Sequence, residues 1–344
     1  MTLKLPKVSV CVPVYNGEKY VEQTILSLLA LDYPDYEIIF SDNHSTDGTA
    51  AIIKHYAQKT GRIGYVLTKE FHYYGEYNFN NCLTLGDGEY VAVYHADDVY
   101  YRDILRRSAE ALAGDASVGA VVARAERIDA NGDKIGDGSF FYENSVSDYD
   151  FDAALSDALR IGCSPFICSS AMFRRETIKK HGLAWNCEKY KTSSDLGLFL
   201  NLLKHAKIKL IRENMLAYRI TQTQGSTTVI RNRLDKGNYF LVLRDYRPQI
   251  AANKYRPNYY YSVAKDLLVR ALNFTYAGEY ARSDRRLKAF FRVFWGKFQF
   301  LRKFPSAWLM LCLGGGVWLL NRAIPFEAVR KKLVFWAFKL GRAG

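Results

Sequence analysis

The run VSVCVPV at 8–14 is apolar and β-branched almost throughout, and it stops at the turn signal Tyr15-Asn16-Gly17. A strand without polar alternation must be covered on both faces, which points to a parallel sheet held between layers of helix. Residues 18–31 follow with Tyr20, Ile25, Leu28 and Leu29 at helical spacing, and YEIIFSD at 36–42 is the next strand. It runs into DNHSTDGT, where Ser45 or Asp47 can cap a helix starting near Thr49. After the turn Gly86-Asp87-Gly88, YVAVYH at 90–95 supplies a third strand. This alternation predicts an α/β fold of right-handed βαβ units with a mostly parallel sheet.

Ligands of such sheets bind beyond the carboxyl ends of the strands. Polar residues stand there three times: Asn16 after the first strand, Asp42-Asn43 after the second, and Asp97-Asp98 after the third. Each alone is ordinary turn chemistry. Three consecutive strand ends of this kind converge on one crevice.

HADD at 95–98 sets two carboxylates side by side. A divalent cation that favours hard oxygen ligands, Mn²⁺ or Mg²⁺, offsets their repulsion; capping a helix over 101–113 is the other use of these acids. Such an ion would neutralise charge developing on a leaving nucleoside diphosphate. Further along, KTSSDLGLFLNLLKH at 191–205 places Asp195 near the start of an amphipathic helix. There it either complements the helix dipole or stands over the crevice as a base for an acceptor hydroxyl.

VSVCVPVYN, IIFSDNHSTDGT, GEYVAVYHADD and SSDLGLFL, in this order and spacing, resemble the family-2 glycosyltransferases across roughly residues 6–226. The resemblance implies a GT-A-type domain over 1–230 and metal-dependent, inverting transfer from a nucleotide sugar, most often a UDP-sugar. It implies that Pro13, Tyr15 and Asn16 line the nucleotide pocket and that Asp42 hydrogen-bonds the nucleobase. Asn80 helps shape the nucleotide site, and Asp97 and Asp98 stand at the DxD-type positions that hold ribose and metal. Asp195 falls at the catalytic base, and Arg219, in YRITQTQGS, belongs to the segment that closes over the diphosphate. Three positions depart from the family pattern: His95 replaces the first acid of the DxDD form, Ser194 stands where Glu often precedes the base, and Thr221 stands where His often follows YR. His95 is expected to pack rather than ligate. GCSPFICSSAMFRRETIKKHG at 162–182 resembles the acceptor-facing segment, with Ser169 and Ser170 read as small residues of a tight turn.

The net charge of +13 is unevenly divided: residues 1–230 carry 25 Lys+Arg against 29 Asp+Glu (net −4), and residues 231–344 carry 23 against 6 (net +17). In this basic helical region, DRRLKAFFRVFWGKFQFLRKF at 284–304 puts Leu287, Phe290, Phe291, Phe294, Trp295, Phe298 and Leu301 on one helical stripe. Basic residues beside bulky aromatics suit the interface of an anionic membrane; a core-facing stripe is the alternative. PSAWLMLCLGGGVWLL at 305–320 is uncharged but short of the roughly 20 residues a span needs, so it reads as a shallow element or a helix packed on its neighbours. AVRKKLVFWAFKLGR at 328–342 repeats the basic and aromatic pattern. Membrane contact fits a glycan or lipid-linked acceptor at the cytoplasmic face, in assembly of a surface polysaccharide or lipopolysaccharide.

Other classes fall away. YNGEKY after the first strand lacks the GxGxxG of a dinucleotide-dependent oxidoreductase, and no Gly-rich basic loop supports a nucleotidyltransferase. No recognition motif supports nucleic acid as the partner of the basic region. Residues 1–7 lack the pattern of a signal peptide, and six cysteines without a CxxC pair fit reduced thiols and a cytoplasmic setting. A catalytically silent nucleotide-sugar-binding protein remains the rival.

Overall fold

The computed structural model describes residues 5–72, 75–137, 147–221, 234–251 and 254–323. The chain divides into two compact units, Met1–Leu155 with Ser164–Thr221, and Ser156–Cys163 with Gln222–Gly344. The second unit thus starts before residue 231 and also takes in the end of helix Phe151–Ile161. The reason is local: Asn258 Nδ2 donates to Ser156 Oγ at 2.7 Å, and Lys265 Nζ donates to the Ile161 carbonyl at 3.1 Å.

In the first unit ten strands form one sheet: β1 (Val8–Val14), β2 (Tyr36–Asp42), β3 (Ile63–Leu67), β4 (Tyr90–Val93), β5 (Val99–Tyr100), β6 (Val118–Ile128), β7 (Lys134–Asp137), β8 (Asp148–Tyr149), β9 (Met172–Arg174) and β10 (Lys207–Arg219). Their order is β3-β2-β1-β4-β9-β6-β10-β5, with β7 on β6 and β8 on β10. The run β3-β2-β1-β4 is parallel, β9 inserts antiparallel to both β4 and β6, and β6 and β10 pair in parallel. Every residue of β1 is buried, as its lack of polar alternation requires. Helices Val21–Leu29, Thr49–Thr60, Glu76–Thr84 and Ile104–Ala113 make the connections.

The register aligns the carboxyl ends of these strands. Val14 pairs with Asp42, Asp42 with Leu67, and Cys11 with Val93. Tyr94 N–H donates to the Cys11 carbonyl at 3.0 Å, so the next residue of β1 facing β4 is Pro13. Proline has no N–H to continue that ladder, and β4 leaves β1 there. This releases His95 to Asp98 from the sheet edge. At the other end, Gly88 lets the preceding turn lie on β1: its N–H donates to Ser9 Oγ at 2.9 Å, and a Cβ there would sit 2.5 Å from the Ser9 backbone nitrogen.

The second unit is helical: Tyr239–Asp245, Arg247–Ile250, Arg256–Tyr276, Tyr280–Gly296, Phe298–Leu301 and Pro305–Ala323. Its core joins Leu268, Ala271, Leu287, Phe290, Phe294 and Leu301 to Ala307, Met310 and Val317. Of the two readings of the stripe over 284–304, these buried members take the core-facing one. Leu287, Phe290, Phe294 and Leu301 are fully buried within their own unit, whereas Trp295 is 58% exposed. The three glycines of 314–316 do not interrupt helix Pro305–Ala323. Gly314 faces the Phe290 ring, and a Cβ there would lie 2.8 Å from a ring carbon. The small residue therefore allows the close approach. Among the described residues no helix is long and apolar enough to cross a membrane. The stretch 328–342 lies outside them.

Candidate active site

The loops after β1 and β2 are locked together by side chains of the DNHSTDGT segment. Asn16 adopts φ 49°, a left-handed conformation that asparagine tolerates. Its Oδ1 accepts from Thr46 N–H at 2.8 Å, and its own N–H donates to Ser45 Oγ at 2.9 Å. Asp47 rather than Ser45 serves the next helix, with Oδ1 accepting from Thr49 N–H at 3.0 Å. Ser45 instead serves Asp42: its N–H and Oγ both donate to Asp42 Oδ1, at 2.8 and 2.7 Å. Tyr65 Oη donates to Asp42 Oδ2 at 2.7 Å. The Asp42 carboxylate is thus fully buried and held on both oxygens at the end of β2. Tyr15 and Phe71 are each 48% exposed with ring centroids 5.2 Å apart. Pro13 is buried within β1.

After β4 the chain carries His95, Asp97 and Asp98, which can bring one ligand atom each within 4.8 Å of one another. The loop is fixed from beneath. Thr24 Oγ1 donates to the Asp98 carbonyl at 2.8 Å, and His95 N–H donates to Tyr100 Oη at 2.6 Å. Arg219, at the end of β10, is 1% exposed. Its N–H donates to Asp98 Oδ1 at 2.9 Å, and its Nε to the Asp97 carbonyl at 2.8 Å. Its remaining nitrogens donate to the Asp129 carbonyl at 3.1 Å and Gln23 Oε1 at 2.7 Å, and the guanidinium lies over the Tyr20 ring. The side chain expected to close over a diphosphate is therefore bound into the support of the acidic loop. Of its segment YRITQTQGS, residues 222–226 lie outside the described residues.

Two buried atoms of the acidic cluster lack a hydrogen-bond partner, His95 Nε2 and Asp98 Oδ2. Burial, then the neighbouring Asp97 charge, push the Asp98 carboxyl well above the usual carboxylate range. Burial also lowers the His95 pKa, with Asp97 acting the other way. A neutral imidazole nitrogen and two carboxylates suit a divalent cation, and the two orphaned atoms are lone-pair donors it could satisfy. His95 also packs edge-on against Phe79, at 5.2 Å.

Asn80 and Asp195 lie on helices Glu76–Thr84 and Ser194–Leu202. The Asn80 amide is engaged in both directions with the Trp185 backbone, accepting from its N–H at 2.8 Å and donating to its carbonyl at 2.8 Å. Phe79 meets both His95 and Trp185, at 5.2 and 5.5 Å. Trp185 opens the segment that leads through Lys191, at φ 53° and ψ −132°, to helix Ser194–Leu202. Asp195 lies half-buried in the first turn of that helix. Sequence reasoning placed Tyr20 only on a helix face and did not single out Phe79, Trp185, Gln23 or Phe71. An isolated aromatic or glutamine carries no motif, and only the contacts reveal these residues.

The family model described as Glycosyl transferase family 2 matches residues 9–182. A Campylobacter jejuni protein, GalNAc(5)-diNAcBac-PP-undecaprenol beta-1,3-glucosyltransferase, is 35% identical over 94 residues, which are 27% of this chain and 30% of that protein. The chain spans less than half the length of the first curated relatives it matches. Among solved structures, a Pyrobaculum calidifontis mannosyltransferase in complex with GDP-Man and Mn²⁺ matches with a TM-score of 0.56 at 17% identity, covering 96% of this chain and 88% of that one. Residues 1–349 of Staphylococcus aureus TarS in complex with UDP-GlcNAc match with a TM-score of 0.52 at 17% identity, covering 82% and 90%. These structural likenesses establish the fold, a GT-A sheet with a helical C-terminal region.

Proposed function

Because this chain belongs to glycosyl transferase family 2, we propose that it moves a sugar from a nucleoside-diphosphate sugar, a UDP-sugar foremost, to an acceptor hydroxyl with inversion. The observation that carries this reading is the cluster of His95, Asp97 and Asp98, released from β4 beside the held ends of β1 and β2. Tyr15 and Phe71 offer aromatic faces to a nucleobase, and Asp42, Asn16 and Pro13 set the floor and wall beside them. Asp97 would meet the ribose as well as a cation held with Asp98. The solved structures of the mannosyltransferase and TarS, with GDP-Man and UDP-GlcNAc bound, support a nucleotide-sugar donor.

In the proposed reaction Asp195 takes the proton of the acceptor hydroxyl as its oxygen attacks the anomeric carbon. A new carbon–oxygen bond forms on the face opposite the departing diphosphate, and the bond to the diphosphate breaks. A divalent cation would supply charge neutralisation at that leaving group. Mn²⁺ suits the site better than Mg²⁺ if His95 contributes its nitrogen, because imidazole favours transition metals. Asn80 holds Trp185 and so the path of the chain toward Asp195, and Arg219 holds the acidic loop.

The acceptor we propose is a glycan carried on a lipid at an anionic membrane surface, on the cytoplasmic side. Trp295, Trp308, Leu309, Trp318 and Leu319 are exposed on the basic helical unit, which supports this reading. Extraction of the expressed protein from membranes by high salt would support it, and full solubility without salt would contradict it. The transfer itself is tested by incubating the protein with UDP-, GDP- and dTDP-sugars and Mn²⁺ and measuring nucleotide release. Metal-dependent release supports transfer. No release with any donor, alongside tight nucleotide binding, would favour a silent binding protein.

A further inference from the structure

A cavity of about 480 Å³ opens in the helical unit, between the run 236–251 and the first turns of helix Arg256–Tyr276. Lys236, Arg244, Arg247 and Arg256 line it, and among the described residues no carboxylate does. Phe240 and Arg244 lie four residues apart on one face of helix Tyr239–Asp245, and Arg247 opens the next helix, Arg247–Ile250, so two short consecutive helices deliver two guanidinium groups and an aromatic ring to the cavity. Among the described residues, Lys236, Arg244 and Arg247 have no ion-pair partner. The Lys236 Nζ lies 4.1 Å from the centre of the Phe240 ring, and the Lys297 Nζ lies 5.0 Å from that of Tyr260, another lining residue. The first turn of the 21-residue helix Arg256–Tyr276 adds the positive end of its dipole. Leu243, Ile250 and Tyr259 give the same cavity an apolar wall.

Four exposed cations around one open cavity raise a positive potential in the space they line. Arginine pairs flanked by aromatic faces match the oxygens of a phosphate group, which they can engage through two parallel hydrogen bonds each. We propose that this cavity is an anion site that holds a phosphate or diphosphate group, with the apolar wall receiving whatever that group is attached to. It is lined by residues of the second unit alone and does not rest on the transfer reading.

The test is calorimetric titration of the whole protein in EDTA, which silences any metal-dependent nucleotide site. Inorganic diphosphate and dihexanoyl phosphatidic acid, below its micelle concentration, are the two probes. The variant R244Q/R247Q is compared with R282Q/R285Q, which removes the same charge from exposed positions on another helix. Both probes should bind the wild type, and R244Q/R247Q should weaken them at least ten-fold while the control pair changes affinity less than two-fold. Tighter binding of the phosphatidic acid, lost in Tyr259→Ala, identifies a lipid headgroup; equal binding of the two probes identifies a free phosphate. No binding of either probe, or equal weakening by both double variants with thermal unfolding unchanged, overturns the proposal.

Discussion

The backbone N–H of Arg219 donates to Oδ1 of Asp98 at 2.9 Å, which joins the end of β10 to the acidic loop after β4. The guanidinium then holds the carbonyls of Asp97 and Asp129 and the amide of Gln23. A buried arginine with this many partners is a scaffold for the acids above it. Arg219→Met should leave those carbonyls unsatisfied and destabilise the first unit by about 2–4 kcal/mol. Urea unfolding measures this. Unchanged stability with weakened donor binding would instead mean that the side chain serves the diphosphate directly.

Asp195→Asn should lower kcat by about 10²–10⁴-fold, the range for loss of a general base, and leave donor affinity within a few-fold. Equal loss of both would make Asp195 structural. Single-turnover rates beside equilibrium donor binding separate the two.

The glycines of helix Pro305–Ala323 should respond oppositely to substitution. Gly314→Val drives a side chain into the Phe290 ring and should cost about 1–3 kcal/mol. Gly316 has nothing within 4 Å of an added Cβ, and Gly316→Ala should stabilise by about 0.5–1 kcal/mol through helix propensity. Paired thermal melts decide it. If both variants destabilise equally, the glycines serve flexibility rather than packing.

His181 and His205 stack with ring centroids 3.9 Å apart. Burial, then His205 and Lys180, lower the His181 pKa below its ordinary value. A base with a depressed folded pKa binds fewer protons folded than unfolded. Its stabilising contribution is therefore present above pH about 6.5 and is lost as pH falls through the folded value. The His181 ring protons should titrate below pH 6.5 by NMR and move back toward it in His205→Asn. A midpoint at or above 6.5 in the wild type would contradict the stacked arrangement.

The parallel half of the sheet was legible because burial on both faces leaves an uninterrupted apolar run. β1 and β2 have the bounds expected from sequence, and β4 falls two residues short of YVAVYH where Pro13 ends its ladder. β10 was not legible. KIKLIRENMLAYR mixes charge with apolar residues, and its pairing with β6 shifts register three times, so no single period runs through it. The acidic loop could be located from HADD, but its support could not, because Thr24 and Arg219 come from distant segments. The aromatic stripe at 284–304 left two readings open for a physical reason: a helix face rich in Phe and Leu has the same pattern whether it meets lipid or other helices. Here its large residues Phe290 and Phe294 meet helices.

The central claim is a metal-dependent nucleotide site built on Asp98. It is tested most directly by calorimetric titration of UDP and GDP, with Mn²⁺ and with EDTA, on the wild type and Asp98→Asn. The asparagine keeps an acceptor for the Arg219 N–H while removing the charge, so the fold should persist. The account predicts that UDP binds the wild type with Mn²⁺ and that this binding falls at least about ten-fold in EDTA or in Asp98→Asn. Equal binding of UDP under all four conditions, or no binding of either nucleotide by folded wild type with Mn²⁺, would contradict it.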